Sequence, residues 1–185
     1  MKSIKEIEDQ EIISKLRDKA SENEALSLFQ LKYAKKLYHH IRNILIVHED
    51  SDEVLQLTII KVWQNISKFR EDSGFFTWVY RIATNEALNH LRKKKNKFFL
   101  PIADYENVLI SKLENPAVFN GDIIERKLRQ AVLKLPEKQR LVFQLKYFED
   151  LKYEEISKIL DQSEGGLKAT YHHAVKKIEK YLAND

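Results

Sequence analysis

Glycine and proline are scarce in this 185-residue chain, which limits where its secondary structure can break. The four glycines and three prolines are Gly74, Gly121, Gly165, Gly166, Pro101, Pro116 and Pro136. Residues 1–73 contain neither type, and apolar residues recur through them at helical spacing. The pattern predicts an all-α protein, with helices near residues 4–18, 22–46, 51–67, 75–95, 123–134, 137–148, 153–160 and 164–183.

The segment 98–122 interrupts this periodicity. It holds two of the prolines and carries a net charge of −3, whereas residues 1–97 carry +4 and residues 123–185 carry +3. We therefore predict two small helical domains, 1–97 and 123–185, joined by an exposed and flexible linker, 98–122. Two basic blocks around an acidic stretch fit two nucleic-acid-facing domains. An ordinary solvated helix surface would give the same charge pattern.

Several classes of protein are disfavoured by composition. The chain has no cysteine, so it has no disulfide, thiol nucleophile or thiolate metal site. No apolar run approaches the ~20 residues of a membrane span. The charged start MKSIKEIEDQ lacks the apolar stretch of a signal peptide. We expect a cytoplasmic protein with no stable membrane insertion and no cofactor.

The histidines give no reason to expect an enzyme. Adjacent histidines on a helix, as at positions 39–40 and 172–173, diverge by about 100° and do not chelate one ion together. His48, Glu49 and Asp50 are expected to form a solvated turn. There is no glycine-rich loop that could cradle a phosphate.

The sequence YEEISKILDQSEGGLKATYHHAVKKIEKYL is typical of two helices joined by a tight turn. Asp161 falls where such a turn needs a left-handed backbone, and the Ser163 hydroxyl can cap the following helix. Small residues near the start of that helix would allow close approach to a DNA major groove, and Lys168 could reach a phosphate or a guanine. The pattern predicts a DNA-binding helix-turn-helix, but a plain helical hairpin would share it.

A second candidate surface lies on the helix predicted from residue 75. Aromatic, amide and guanidinium groups recur on one stripe of that helix: Trp78, Arg81, Asn85, Asn89 and Arg92. This combination suits unstacked bases and a phosphate backbone, and the basic run RKKKNK follows it. The competing interpretation is that Trp78 anchors the helix in the core beneath solvated charges.

Together these segments resemble the extracytoplasmic function (ECF) group of sigma factors of bacterial RNA polymerase. The resemblance covers residues 10–97 and 123–183. It is strongest in the four stretches DEVLQLTIIKVW, FTWVYRIATNEALNHLRK, LPEKQR and YFEDLKYEEISKILDQSEGGLKATYHHA, which occur in the family's order. It implies binding to core polymerase through its beta-prime clamp and beta flap, binding to promoter DNA, and a role in promoter opening. An anti-sigma factor is a further possible partner, common in the family.

The residue patterns and the resemblance together predict three sets of site residues. The clamp-binding set is Glu53, Gln56 and Ile60. The set for the minus-ten element is Phe69, Arg70, Ser73, Trp78, Arg81, Asn85, Asn89 and Arg92, with the loop 69–74 expected to close over a flipped base. The set for the minus-thirty-five element is Arg140, Ser163, Gly165, Lys168, Ala169, His172, His173 and Lys176.

The sequence departs from the family in places. Glu53 stands where aspartate is common, and Gly166, Thr170, His173 and Val175 replace a threonine and three arginines, which predicts fewer phosphate contacts. The alternative function is a helix-turn-helix regulator that acts without polymerase, usually as a dimer on a palindrome. That alternative leaves the Trp78 stripe and the face formed by Glu53, Gln56, Ile60 and Trp63 without a role.

Overall fold

A computed structural model describes residues 7–98, 107, 109–111, 113 and 122–183, and the side chains of residues 95–98 are outside its description. Every regular element within these ranges is helical, which confirms the predicted all-α class. The N-terminal bundle, as we call it, consists of α1 (Asp9–Arg17), α2 (Glu22–Phe29), α3 (Lys35–Leu45), α4 (His48–Asn65) and α5 (Phe75–Phe98). The C-terminal bundle consists of α6 (Ile123–Leu133), α7 (Glu137–Phe143), α8 (Tyr153–Leu160) and α9 (Glu164–Ala183).

Short non-α segments extend three of these helices. A π-helical segment, Gln30–Ala34, joins α2 to α3, so the single helix predicted over 22–46 contains a local widening. A second π-helical segment, Gln144–Phe148, extends α7, and a 3₁₀ turn, Ile66–Lys68, follows α4.

Local interactions explain where several helices begin. The Asp122 side chain accepts a hydrogen bond of 2.7 Å from the backbone of Glu125 and so caps α6. The Glu155 side chain accepts a hydrogen bond of 2.8 Å from the backbone N–H of Lys152 at the start of α8. The α4 helix begins at His48, three residues earlier than predicted, with Glu49 and Asp50 in its first turn, where acidic groups are favoured.

The expectation of a solvated turn at His48–Asp50 is therefore wrong. Asp50 is only 7% exposed, and the ammonium of Lys94 on α5 binds its carboxylate. The His90 ring lies 3.4 Å from the same carboxylate. This buried acidic group ties the start of α4 to the C-terminal part of α5.

Two apolar clusters hold the described residues together. The larger one is built from the N-terminal bundle, but it also contains eight residues of the second half: Leu133, Leu141, Val142, Leu145, Leu151, Ile156, Ile159 and Leu167. The smaller one lies within the C-terminal bundle and includes Phe143, Ala174 and Ile178. The C-terminal bundle is therefore docked on the N-terminal bundle, with α8 packed against α5.

Two residues of the predicted linker also join the larger cluster. Leu109 is 3% exposed and Leu113 is 2% exposed. The expectation of an exposed segment is wrong at these positions, because burying two leucine side chains is favourable by roughly 1.5–3 kcal/mol each. The rest of 98–122 lies largely outside the described residues.

Candidate nucleic-acid and protein interfaces

The polar stripe of α5 is exposed, but its aromatic member is not. Arg81, Asn85, Asn89 and Arg92 are all exposed, as predicted for a binding surface. Trp78 is only 8% exposed, so the expectation of an open stacking surface on this ring is wrong in this structure.

Trp78 is buried because it completes an aromatic cluster. Its ring centroid lies 5.8 Å from that of Phe75, in a stacked arrangement, and 5.1 Å from that of Phe69. Rings in such contacts stabilise one another beyond the effect of burial alone. The competing interpretation, in which Trp78 anchors the helix, is thus the one that this geometry favours.

The loop that precedes α5 is also anchored by its aromatic residue. Phe69 is only 5% exposed, and the exposed part of it lines the cavity beside the loop. Arg17 donates to the Phe69 carbonyl at 2.8 Å and pairs with Glu71 at 3.0 Å. Arg70 is exposed and Ser73 is half-buried. These contacts hold the loop backbone in place, while its polar side chains remain accessible to solvent.

A cavity of about 430 Å³ opens beside this loop. Its wall consists of loop residues, Trp78 and Arg81 from α5, and Lys158 and Asp161 from the C-terminal bundle. A neighbouring groove of about 330 Å³ runs along the stripe between α4 and α5 and includes Arg81, Asn85 and Asn65. Lys61 pairs with Glu86 at 2.6 Å on the wall of that groove. The polar stripe thus borders two neighbouring cavities, each large enough for a nucleotide-sized group.

Arg92, at the far end of the stripe, is partly engaged within the chain. Its guanidinium lies 3.6 Å from the Glu137 carboxylate on α7 and 3.4 Å from the Asn89 amide oxygen. Arg92 is exposed and Glu137 is partly exposed, so this pair is weak and an anionic ligand could compete for the arginine.

The predicted helix-turn-helix is confirmed as two helices around a tight turn. Asp161 has φ 54° and ψ 52°, the left-handed conformation expected there. The Ser163 hydroxyl accepts a hydrogen bond of 3.3 Å from the backbone of Gly166 and caps α9. Leu167, Ala174 and Ile178 form the buried face of α9.

The opposite face of α9 is open. Its predicted DNA-binding residues are all exposed: Gly165, Lys168, Ala169, His172, His173 and Lys176. Lys168 lies 3.9 Å from Glu164, a long pair between exposed groups that would not restrain it. This helix therefore presents one basic, unobstructed surface.

Arg140 lies outside that surface in this structure, and its predicted contact with DNA stays a prediction. It is 5% exposed, and its guanidinium donates at 2.9 Å to the carbonyl of Leu133 at the end of α6. A buried arginine satisfies backbone carbonyls that the helix itself leaves free. Its position in the motif LPEKQR is explained by this structural role.

The solvent-exposed face of α4 contains apolar side chains as well as the polar ones usual at a protein surface. Glu53 and Gln56 are exposed, and after them along the helix Leu57, Ile60 and Trp63 are 39%, 45% and 38% exposed. We call these five residues the α4 face. Sequence analysis missed Leu57, although its position one residue after Gln56 and three before Ile60 could have shown it.

Exposed apolar side chains aligned on one helix mark an interaction surface. The described part of the chain contains no group of three or more His, Asp or Glu residues arranged for a metal ion. No helix described is both long and apolar enough to cross a lipid bilayer.

Comparisons with known proteins identify the family to which the chain belongs. The family described as Sigma-70 region 2 matches residues 30–97, and the family described as Sigma-70, region 4 matches residues 125–178. The ECF RNA polymerase sigma factor SigW of Bacillus subtilis is 31% identical over 158 residues, covering 81% of this chain and 84% of that protein. The RNA polymerase sigma-H factor of Pseudomonas aeruginosa is 29% identical over 183 residues, covering 95% and 94%.

Solved structures show the same fold. CnrH, in complex with the cytosolic domain of CnrY, superposes with a TM-score of 0.70 at 19% identity, covering 96% of this chain and 98% of that one. The sigma factor RpoE of Bartonella quintana, in complex with the anti-sigma factor NepR, gives 0.65 at 19% identity, covering 86% and 97%. The chain therefore belongs to the extracytoplasmic function group of the sigma-70 family of RNA polymerase sigma factors.

Proposed function

We propose that this sigma factor contacts core polymerase through the α4 face and promoter DNA through two separate surfaces. The surface for the minus-ten element is the exposed stripe of α5 with the loop 69–74. The surface for the minus-thirty-five element is the exposed face of α9. The proposed division into domains is 1–97 and 123–185, with 98–122 between them, in the cytoplasm where polymerase acts.

The α4 face is the observation that carries this proposal. Leu57, Ile60 and Trp63 remain exposed although other apolar residues of α4, such as Val54 and Val62, are fully buried. A partner that covers these side chains would remove apolar surface from water, which is the main source of binding free energy. A helix-turn-helix regulator acting without polymerase has no use for such a face beside a nucleic-acid groove.

The burial of Trp78 changes the role proposed for the minus-ten surface. Arg81, Asn85, Asn89 and Arg92 are the groups that reach solvent and can meet phosphates and base edges. Trp78 is a positioning residue beneath them, because it fixes α5 against Phe69 and so fixes the loop. These roles are for binding and positioning, and none requires catalytic turnover.

The proposal also extends to a regulatory partner. The two superposed structures are complexes, one with the cytosolic domain of CnrY and the other with the anti-sigma factor NepR. We infer that an anti-sigma protein is a candidate partner of this chain. Affinity purification of the tagged chain from its own cells, followed by identification of co-purified proteins, tests this inference.

The test of the polymerase contact combines a charge reversal with a truncation on the α4 face. In Glu53→Lys/Gln56→Ala, binding to cognate core polymerase should weaken at least several-fold, because charge reversal at an interface costs on the order of 1–3 kcal/mol. The matched control is Glu8→Lys/Gln10→Ala, which makes the same two changes at exposed positions of α1 and the residue before it. Equal binding by the two double variants would contradict the assignment of the α4 face.

A further inference from the structure

The last residue of α1 binds the loop 69–74 at two points. One nitrogen of the Arg17 guanidinium donates to the backbone carbonyl of Phe69 at 2.8 Å, and another donates to the Glu71 carboxylate at 3.0 Å. These partners lie 52 and 54 positions further along the chain. A guanidinium is planar and rigid, so it fixes the spacing of the two groups that it binds. Arg17 therefore sets the path of the backbone on both sides of Arg70.

The position of Arg17 is itself fixed by the core. Leu16, the residue before it, is 5% exposed, and Ile12 and Ile13 of the same helix are buried in the larger apolar cluster, which also contains Phe69. The α1 helix also contacts the 3₁₀ turn that leads into the loop. The guanidinium thus reaches the loop from a helix that is packed in place.

The backbone of the loop is strained at the residue that Arg17 binds. Glu71 has φ 64°, in the left-handed region. That region is disfavoured for a residue with a Cβ atom, and glycine is the type that adopts it most readily. Strained residues persist where the surrounding structure holds them, and they are concentrated at functional sites. The pair with Arg17 anchors the side chain of this strained residue.

The contact is a poor source of fold stability. The Arg17 side chain is 41% exposed and the Glu71 side chain is 45% exposed. Pairs of exposed charges contribute little to stability, because water screens them and ordering two long side chains costs entropy. Two bonds from one side chain to a strained loop instead specify the shape of that loop.

The shape of the loop determines the shape of the cavity beside it. Phe69, Arg70 and Glu71 line that cavity of about 430 Å³ together with Trp78. The described residues of the cavity wall do not include Arg17. Arg17 thus lies behind the loop, where it supports the wall without facing a ligand in the cavity.

We propose that Arg17 is a positioning residue for promoter opening: its guanidinium holds the loop 69–74 in the shape in which the cavity receives an unpaired base. This inference deepens the proposed function of the minus-ten surface and rests on it. Lysine cannot take the place of this arginine, because an ammonium has the same charge but lacks the planar fork. Loss of the fork releases the strained loop, and the opened base is then captured less well.

The test uses holoenzyme made from the full-length sigma factor and cognate core polymerase, on a promoter that the wild-type holoenzyme transcribes. The variants are Arg17→Lys and Arg17→Ala. The matched control is Lys19→Ala, which removes a positive charge at an exposed position two residues further along the chain. In a set of templates, each base of the minus-ten element is replaced by an abasic site, one position and one strand at a time. The reactivity of unpaired thymines with permanganate gives the rate of opening on each template.

On the intact promoter, both Arg17 variants should open the DNA several-fold more slowly than the wild type, while Lys19→Ala opens it at the wild-type rate. All three should bind core polymerase normally and retain wild-type circular dichroism. On the template that lacks the captured base, the difference between wild type and the Arg17 variants should disappear, because the loop has no base to hold. Comparing two proteins on one template cancels the effect of the missing base pair on the duplex.

Four results would overturn the inference and leave the proposed function standing. They are opening at the wild-type rate by Arg17→Lys, equal slowing by Lys19→Ala, a difference that persists on every abasic template, and a salt dependence of promoter binding whose slope falls by about 1 in Arg17→Ala. The last result would show that Arg17 contacts a phosphate directly. Failure of the wild-type protein to bind core polymerase or to direct transcription from any promoter would overturn the proposed function itself.

Discussion

The two proposed DNA-binding helices differ in how closely binding groups and core groups are mixed. On α5, the buried Trp78 lies between the exposed Arg81 and the loop, and Phe69 supports the loop from beneath. On α9, each residue proposed to face DNA is exposed, and the buried face contains other residues, such as Leu167 and Ala174. Folding and binding therefore share residues in the first surface and are separated in the second.

This difference has a physical origin in the task of each surface. A surface that must hold single-stranded bases needs a rigid cavity, and a rigid cavity needs packed walls. A helix that enters a major groove needs only its outward side chains. Substitutions of the buried residues in the α5 surface should therefore change stability and binding together, whereas substitutions on the exposed face of α9 should change binding alone.

The largest expected effect comes from truncating the buried ring. Trp78→Ala should lower the free energy of unfolding by roughly 3–5 kcal/mol, because it leaves a cavity in the aromatic cluster. Lys168→Ala on α9 should leave it unchanged within about 0.5 kcal/mol. Urea denaturation followed by circular dichroism measures both. A fully stable Trp78→Ala protein would show that the ring is not part of the core, and would remove the contrast between the helices.

The next largest effect is on the free energy of unfolding at acidic pH, and it comes from the buried residue His40. Burial lowers the pKa of His40 from 6.5 to about 4. Because the pKa is depressed in the folded state, the stability that neutral His40 contributes is present above pH 6.5 and is lost as the pH falls towards 4. Burial raises the pKa of Glu149, which acts in the opposite direction over the acidic range.

Comparison with His40→Gln isolates the histidine. Between pH 7.5 and pH 5 the wild type should lose about 2 kcal/mol more of its unfolding free energy than the variant does. Urea denaturation at both pH values measures this difference. Identical pH dependence in the two proteins would show that His40 is not buried as a neutral group.

A smaller effect, on function alone, is expected at an exposed position of the α5 stripe. Asn85→Ala should leave stability and polymerase binding intact, but should lower transcription from a duplex promoter several-fold, because its amide no longer contacts the opened strand. A pre-melted template should partly restore activity. The Asn23→Ala protein is the control, and normal open-complex formation by Asn85→Ala would exclude this residue from the minus-ten surface.

The smallest effect is expected on α9. Removing one phosphate contact with Lys168→Ala or Lys176→Ala should reduce the slope of log affinity against log salt by about 1. Binding of the full-length holoenzyme to promoter DNA at several salt concentrations measures the slope. If neither lysine changes it, the outward face of α9 does not lie on the phosphate backbone in the way proposed.

The sequence was most informative where local rules decide the outcome. The helical class, the tight turn at Asp161 and the cap at Ser163 all follow from backbone preferences and short-range hydrogen bonds, and all are confirmed. The exposure of Arg81 and Asn85 follows from the spacing of polar residues on one helix. The family followed from four motifs in order, and the comparisons confirm it.

Burial was the property that residue type predicted least well. Tryptophan, phenylalanine and arginine bind nucleic acids in many proteins, but Trp78, Phe69 and Arg140 are buried here. Trp78 and Phe69 pack against each other and against Phe75, and Arg140 lies against the end of α6. The hydrogen bond from Asn43 to Glu149 was also impossible to predict from sequence, because Glu149 lies 106 residues further along the chain. Periodicity on a single helix cannot report what another helix will cover.

The pentapeptide FQLKY shows what the local sequence determines and what tertiary packing determines, because it occurs twice, at residues 29–33 and at residues 143–147. In both places the residues after phenylalanine are π-helical, and the phenylalanine is buried. Beyond that, burial is reversed. Leu31 is 45% exposed and Tyr33 is 3% exposed, whereas Leu145 is fully buried and Tyr147 is 53% exposed.

Identical residues thus specified the same helical backbone twice, because backbone conformation depends on local sterics and hydrogen bonds within a few residues. Which face became core was decided only by tertiary structure. Tyr33 is covered by Phe29 and Phe75 within the N-terminal bundle, and Leu145 is covered where the two bundles meet. The hydrophobic effect is non-directional, so which side chains become buried depends on where the rest of the protein packs against them. A five-residue segment alone therefore cannot determine which of its side chains are buried.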